Sequence, residues 1–323
     1  MKAVTGTPYE SFGTISTEEA GIQKEKLMEM EKQFAGKEIE TCLIYKDNGL
    51  AYTYEQHKGL LTTPHKINSV TKSVLSILIG KALEENYLSS LDLSIGDILS
   101  SNGETDETVL QMSVEQLLTM TSGFDLKSWK EISQSPDWIH AIMSKPPASS
   151  PGKKMTYNNS DSHLLSAVVQ KVTGMKTKEF AARYLFEPLQ IQDYEWEDDP
   201  DGVSLGGYGL YLTPVDLLKY AVMILQNGKW EGKEVIGADW INQALKKHTK
   251  TDKFKQYYGY HWWVSEGSNG KHPALYYAAG RGGKFIFIVP EQNLAAVFTA
   301  DLTVKESLLP YQWFVRYITG EIT

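Results

Sequence analysis

Cysteine is almost absent: Cys42 is the only one in 323 residues. An intrachain disulfide is therefore impossible, and so is a zinc–thiolate cluster. Histidine is sparse too. Its seven copies are scattered, and no two stand at the His-x-x-x-His spacing of a helical metal site. Basic charge is in deficit, with 32 Lys and Arg against 40 Asp and Glu. A net charge of −8 does not suit a surface built to bind nucleic acid. Long apolar runs are missing as well. The longest lies around residues 74–79, far short of the ~20 residues that span a bilayer. The opening residues Met1-Lys2-Ala3-Val4-Thr5-Gly6 lack the apolar segment of an export signal. A cytoplasmic protein is expected, although a chain whose leader had been cleaved would look the same. The remaining composition, 41% hydrophobic and 22% charged, is that of a globular chain with length for two domains. These limits leave an acidic enzyme or binding protein whose chemistry, if any, uses ordinary side chains. No cofactor and no metal are expected.

The pattern along the chain changes twice. Residues 17–34 read as an amphipathic helix capped by Thr17. Two β-like runs follow, 40–45 and 51–56, joined by the hairpin signal Asp47-Asn48-Gly49. From Ser73 to Asn86 the apolar residues Val74, Leu75, Leu78, Ile79 and Leu83 recur at helical spacing. Helical segments then dominate to about residue 200: 114–120, 138–143, 162–172 and 177–185. Another helix covers 213–227, with Thr213 as its cap and Pro214 in its first turn. Four β-rich runs, 257–264, 275–279, 285–289 and 294–299, precede a last helix over 305–318. Strands at both ends and helices between them suggest one antiparallel sheet covered by terminal helices, with a helical region inserted.

Three short motifs carry chemistry. Ser69-Val70-Thr71-Lys72 runs into the helix that follows. Ser and Lys one helical turn apart share a face. The amine then takes the hydroxyl proton as serine attacks a carbonyl, and the helix start offers N–H groups to the oxyanion. Two further Ser-x-x-Lys matches, from Ser150 and from Ser268, sit in Pro- or Gly-containing loops and read as solvated. The second motif is Tyr157-Asn158-Asn159. Tyr and Lys held together share protons, and a neighbouring ammonium lowers the phenol's pKa. Asn159 offers both a donor and an acceptor. The third is Ala278-Ala279-Gly280-Arg281-Gly282-Gly283 between two strands, where glycine admits a substrate close to the strand edge.

In this order, the three motifs resemble those of the serine β-lactamase and penicillin-recognising family. The likeness is greatest to its class C-related branch of esterases, D-aminopeptidases and nylon-oligomer hydrolases. Leu117-Leu118-Thr119-Met120-Thr121-Ser122-Gly123, the Gly206–Pro214 segment and the Pro290-Glu291 turn fit too, so the resemblance covers roughly residues 20–318. It implies an α/β fold of the α+β type: a five-stranded antiparallel sheet flanked by terminal helices, plus an inserted all-helical domain. Residues 1–82 with 205–323 would form the sheet domain and 83–204 the helical one, with the site at their interface. Ser69 would be the acylated nucleophile, and Lys72 and Tyr157 the proton-transfer pair. Asn159, Gly280, Arg281 and Gly282 would meet the substrate. The backbone N–H groups of Ser69 and Arg281 would form the oxyanion hole. The implied reaction is acyl-enzyme hydrolysis of a small ester, amide or peptide-like substrate.

One position departs from the family. Penicillin-targeted relatives place Lys or His where Ala278 stands, so the group that would meet a β-lactam carboxylate is missing. This favours an esterase or amidase over a β-lactamase or a D-Ala-D-Ala carboxypeptidase. A penicillin-recognising sensor without turnover is a third reading, opposed by the intact Ser69, Lys72 and Tyr157. Gly202-Val203-Ser204-Leu205-Gly206 also matches the Gly-x-Ser-x-Gly of α/β-hydrolases, but lacks the strand before it and the helix after it. His57 and His65 read as ordinary loop or strand histidines. Tyr257, Tyr258, Tyr260, Trp262 and Trp263 read as core or cleft lining.

Overall fold

The computed structural model describes residues 9–99, 105–125, 129–252, 256–267 and 273–319. The Ser-x-x-Lys match from Ser268 lies outside them. Helix α1 (Lys24–Phe34) comes first. It starts later than expected, because Gly21 has a φ of 64° and the Ile22 N–H bonds back to the Thr17 carbonyl. Thr17 therefore closes a turn and caps nothing. Strands β1 (Ile39–Lys46) and β2 (Gly49–Glu55) form the expected hairpin. Asp47 and Asn48 have φ of 49° and 67°, the left-handed pair that a tight two-residue turn demands.

β3 (His65–Lys66) leads through the Asn68–Val70 turn into α2 (Thr71–Glu84). Five short helices follow: α3 (Ile95–Ile98), α4 (Glu107–Leu110), α5 (Val114–Leu118), α6 (Trp129–Ile132) and α7 (Trp138–Met143). After them come α8 (Ser160–Thr173) and α9 (Thr177–Ala181), the latter widening into a π turn over Ala182–Phe186. β4 (Tyr194–Trp196) and β5 (Leu210–Leu212) join β3 in a small sheet ordered β3-β5-β4. α10 (Pro214–Leu225) is capped as expected, since the Thr213 hydroxyl accepts from the Asp216 N–H at 3.0 Å. A ribbon of β6 (Lys229–Trp230) and β7 (Lys233–Glu234) and then α11 (Ala238–Ala244) complete the middle of the chain.

The C-terminal part supplies β8 (Thr249–Lys250), β9 (Tyr257–Tyr258), β10 (Trp263–Ser265), β11 (Leu275–Gly280), β12 (Lys284–Val289) and β13 (Leu294–Ala300), then α12 (Leu309–Trp313). The main sheet is antiparallel, in the order β2-β1-β13-β12-β11-β10-β9-β8. It thus has eight strands where five were expected. The five long ones are those anticipated, and three short ones extend the edge beyond β11. Residues 257–264 make two strands and not one. The chain doubles back where the Gly259 N–H bonds the Trp262 carbonyl, and His261 takes a φ of 60°.

Both faces of the sheet are covered. On one, Cys42, Ile44, Phe287 and Phe298 pack against Leu27, Met30 and Phe34 of α1 and against Trp313 and Phe314. On the other, Leu43, Ile286, Ile288 and Val297 meet α2 and α10, and the same core continues into the middle helices. Helix α2 is buried along nearly its whole length. Its N-terminal end is thereby held rigidly beside β11 and α8.

Candidate active site

Ser69 occupies the middle of the Asn68–Val70 turn, half-buried and two residues before α2. The residue before it is strained: Asn68 has a φ of 50°, which L-residues other than glycine rarely adopt. Two contacts hold it there. The Asn68 amide donates to the Arg281 carbonyl at 2.7 Å, and the Thr71 hydroxyl donates to the Asn68 carbonyl at 2.7 Å.

Lys72 is buried, and its ammonium nitrogen lies among three oxygens. They are Asn159 Oδ1 at 2.7 Å, the Gly207 carbonyl at 2.7 Å and Ser69 Oγ at 3.4 Å. Asn159 stands at the N-terminal end of α8, and Gly207 lies just before β5. A Cβ on Gly207 would come within 2.7 Å of Asn159 Oδ1 and 3.1 Å of Lys72 Nζ, so glycine is required for this approach. The Tyr157 ring centre is 5.0 Å from Lys72 Nζ. The ring stacks on Trp263 and meets Tyr258 edge-on. Ser69 with Lys72, Tyr157 with Asn159, and the Gly207 carbonyl are thus brought together from three separate segments.

Burial governs the protonation of this group. It pulls Lys72 down to about 7, against an opposing pull from the Asp161 charge. It pushes Tyr157 up to about 12, with the Ser69 hydroxyl acting the other way. The expected lowering of the phenol is therefore reversed, because desolvation outweighs the hydrogen bond with Ser69. Lys72 is the group that can shed its proton near neutrality, and Tyr157 keeps its own.

The glycine-rich turn closes the site from the sheet side. Gly280, at the end of β11, faces the nucleophile turn so closely that a Cβ there would lie 2.4 Å from the Ile67 carbonyl oxygen. Gly282 is buried and donates its N–H to Ser307 Oγ at 2.9 Å. Arg281 lies between them, its side chain exposed and its carbonyl held by Asn68. On the opposite side, half-buried Tyr208 meets Trp129 edge-on at 6.1 Å, directly after Gly207. Among the described residues, no three His, Cys, Asp or Glu side chains are gathered to hold a metal ion.

The family model for Beta-lactamase matches residues 44–316. The chain belongs to the β-lactamase family. Solved structures with the same fold include a protein from Bacillus anthracis provisionally assigned as a 6-aminohexanoate-dimer hydrolase. It has a TM-score of 0.76 and 15% identity, over 88% of this chain and 80% of that one. A class C β-lactamase aligns with a TM-score of 0.73 and 16% identity, over 93% of this chain and 97% of the other. EstCE1, a hydrolase with promiscuous acyltransferase activity, gives 0.72 and 14%, over 90% and 96%.

Two buried residues beside this cluster were not singled out in the sequence. Asp161 lies in the first turn of α8, where burial raises its carboxyl to about 7. His261 supports the helix behind Ser69. Its carbonyl accepts from the Ser73 hydroxyl at 2.8 Å, and its Nε2 lies 3.2 Å from Ser162 Oγ. Burial and the Lys72 charge push His261 down to about 3, so it stays neutral. The competing Ser204 does not occupy a strand-to-helix elbow. It is fully buried between β4 and β5, and its hydroxyl donates to Asp198 at 3.1 Å. His65 is also structural, bound to Glu40 at 2.9 Å and to the Leu60 carbonyl at 2.9 Å. Tyr258, Tyr260 and Trp262 are core, while Trp263 borders Tyr157. No helix among the described residues is long and apolar enough to cross a membrane.

Proposed function

We propose that the chain is a serine hydrolase that cleaves a small ester or amide through an acyl-enzyme on Ser69. One observation carries this reading: the hydrogen-bonding of Lys72. A neutral amine has two N–H donors and one lone pair. The two short contacts, to Asn159 and Gly207, take the donors and leave the lone pair directed at Ser69 Oγ. Such a lysine is a base for the serine proton.

In the first step the Ser69 O–H bond breaks, its proton goes to Lys72 and its electron pair attacks the substrate carbonyl. The oxyanion rests on the backbone N–H groups of Ser69 and Arg281. When the tetrahedral intermediate collapses, Tyr157 passes a proton to the leaving group and is reprotonated from Lys72. Water then attacks the acyl-enzyme by the reverse relay. Gly280 lets β11 lie against the nucleophile turn, whereas the buried Gly282 gives its N–H to Ser307, and Asn159 contacts the substrate. The site lies where the sheet region (1–82 with 205–323) meets the helical region (83–204).

The buried Ala278 offers no cation for a substrate carboxylate, and Tyr208 and Trp129 present ring surface. Both favour an uncharged, apolar ester or amide over a β-lactam or a D-Ala-D-Ala peptide. The test is intact-mass and peptide mapping after exposure to a p-nitrophenyl ester, a penicillin and a D-amino-acid amide. The expected adduct is on Ser69, with the ester turned over fastest. Ser69→Ala should lose both adduct and turnover, and Tyr157→Phe should lose at least ~10²-fold in rate. An adduct on Ser204, or ligand binding with no acylation and no turnover, would sink the proposal.

A further inference from the structure

Acyl transfer as written makes no use of Asp161. This carboxylate is fully buried in the first turn of α8, two residues beyond Asn159, where α8 packs against α2. Neither of its oxygens makes a well-formed hydrogen bond. Its polar neighbours are the Ser122 hydroxyl and N–H, the Asn158 amide and, through space, Lys72. A buried carboxylate in so spare a setting is costly and persists only with a compensating partner. Lys72 in turn faces Ser69 from its own turn, Tyr157 and Asn159 from the segment leading into α8, Asp161 from the first turn of α8, the Gly207 carbonyl, and His261 from between β9 and β10. Tyr258 also lies in the field of Asp161 and Tyr157. Both tyrosines are held protonated and His261 is held neutral. Among these groups, Asp161 is the one able to carry negative charge at neutral pH.

We propose that Asp161 is a positioning residue for Lys72: its carboxylate stabilises the ammonium formed when Lys72 takes the Ser69 proton, and so sets the pH at which Lys72 becomes a base. The proposal rests on acyl transfer at Ser69. Asp161 gains no proton in the step. The Ser69 O–H bond breaks, an N–H bond forms on Lys72, and the new positive charge appears beside the ionised Asp161 carboxylate. Burial brings both groups to about 7, so they titrate as a pair. Without the carboxylate, Lys72 would lose its proton at lower pH and would be a weaker base.

The test is single-turnover acylation of the full chain by a p-nitrophenyl ester from about pH 5 to 9, with the adduct mapped. In Asp161→Asn the acid limb should move to lower pH by roughly one unit, and the plateau rate should fall about tenfold. A variant that had merely loosened would lose rate with the limb in place, and that result would overturn the proposal. If Asp161→Asn does not fold, Ser122→Ala decides the matter. Removing a donor leaves Asp161 less ionised, so the limb should shift the same way by a smaller step. An unmoved limb in Ser122→Ala then overturns the assignment. An unmoved limb with the adduct on Ser69 removes only the role of Asp161, whereas an adduct elsewhere removes the acyl-transfer reading beneath it.

Discussion

Lys72 touches three oxygens and, once deprotonated, can donate to only two of them. Arginine cannot take that state, because a guanidinium keeps its proton at any working pH. Lys72→Arg should therefore cost at least ~10²-fold in kcat/KM, and raising the pH should not rescue it. In the wild type, kcat/KM should rise with pH through about 7 as Lys72 loses its proton. The Tyr157 phenol, held up at about 12, should impose no fall on the alkaline side of the measurable range. A pH–rate profile that falls through 7 would contradict the assigned base. At this scale, the residues that the structure gathers around Lys72 were legible in the sequence. Ser69, Lys72, Tyr157 and Asn159 are separate in the chain, and their spacing already pointed to shared proton chemistry. Asp161 was hidden for a physical reason. An acid in the first turn of a helix is commonplace, because it suits the helix dipole, so nothing marked this one as buried. His261 was hidden among aromatic residues that read as strand.

At the scale of elements, the site depends on how closely β11 approaches the nucleophile turn. Gly280 permits that approach, and any side chain there meets the Ile67 carbonyl at 2.4 Å. Gly280→Ala should push the two segments apart and displace Arg281 from Ser69. Ester acylation should then slow by at least ~10-fold, since misplacement of this size disables a reacting geometry. Circular dichroism should show the sheet and helices retained. Unchanged acylation would mean that β11 does not support the oxyanion. The long elements were readable from their periods, although α1 begins at Lys24 and not at residue 17. The short strands were not. β3, β8 and β9 have two residues each, and two residues define no alternation. Their pairing is set by tertiary position. The same holds for the break at residues 259–262, where a positive φ at His261 interrupts an otherwise β-rich run.

At the scale of the whole molecule, the register of β1 on β13 matters most. Cys42 lies opposite Phe298, and Ile44 lies opposite Ala296. The inference that both ends of the chain build one sheet needed only the order of strand-like and helix-like segments. The number of strands needed the structure. That register also dictates a sequence of events during biosynthesis. The β1–β2 hairpin leaves the ribosome early, yet its partner strand arrives some 250 residues later, so it must wait with an unpaired edge. Pulse-labelled hydrogen exchange during refolding should show α2 and α8 protected before β1. Simultaneous protection would speak against a late-closing sheet. Arg281 sits in the turn just before β12, within the last part of the sheet to be made. On the proposed mechanism, a nascent chain therefore carries Ser69 and Lys72 long before Arg281 can complete the oxyanion hole, and acyl transfer should switch on only when the final strands dock.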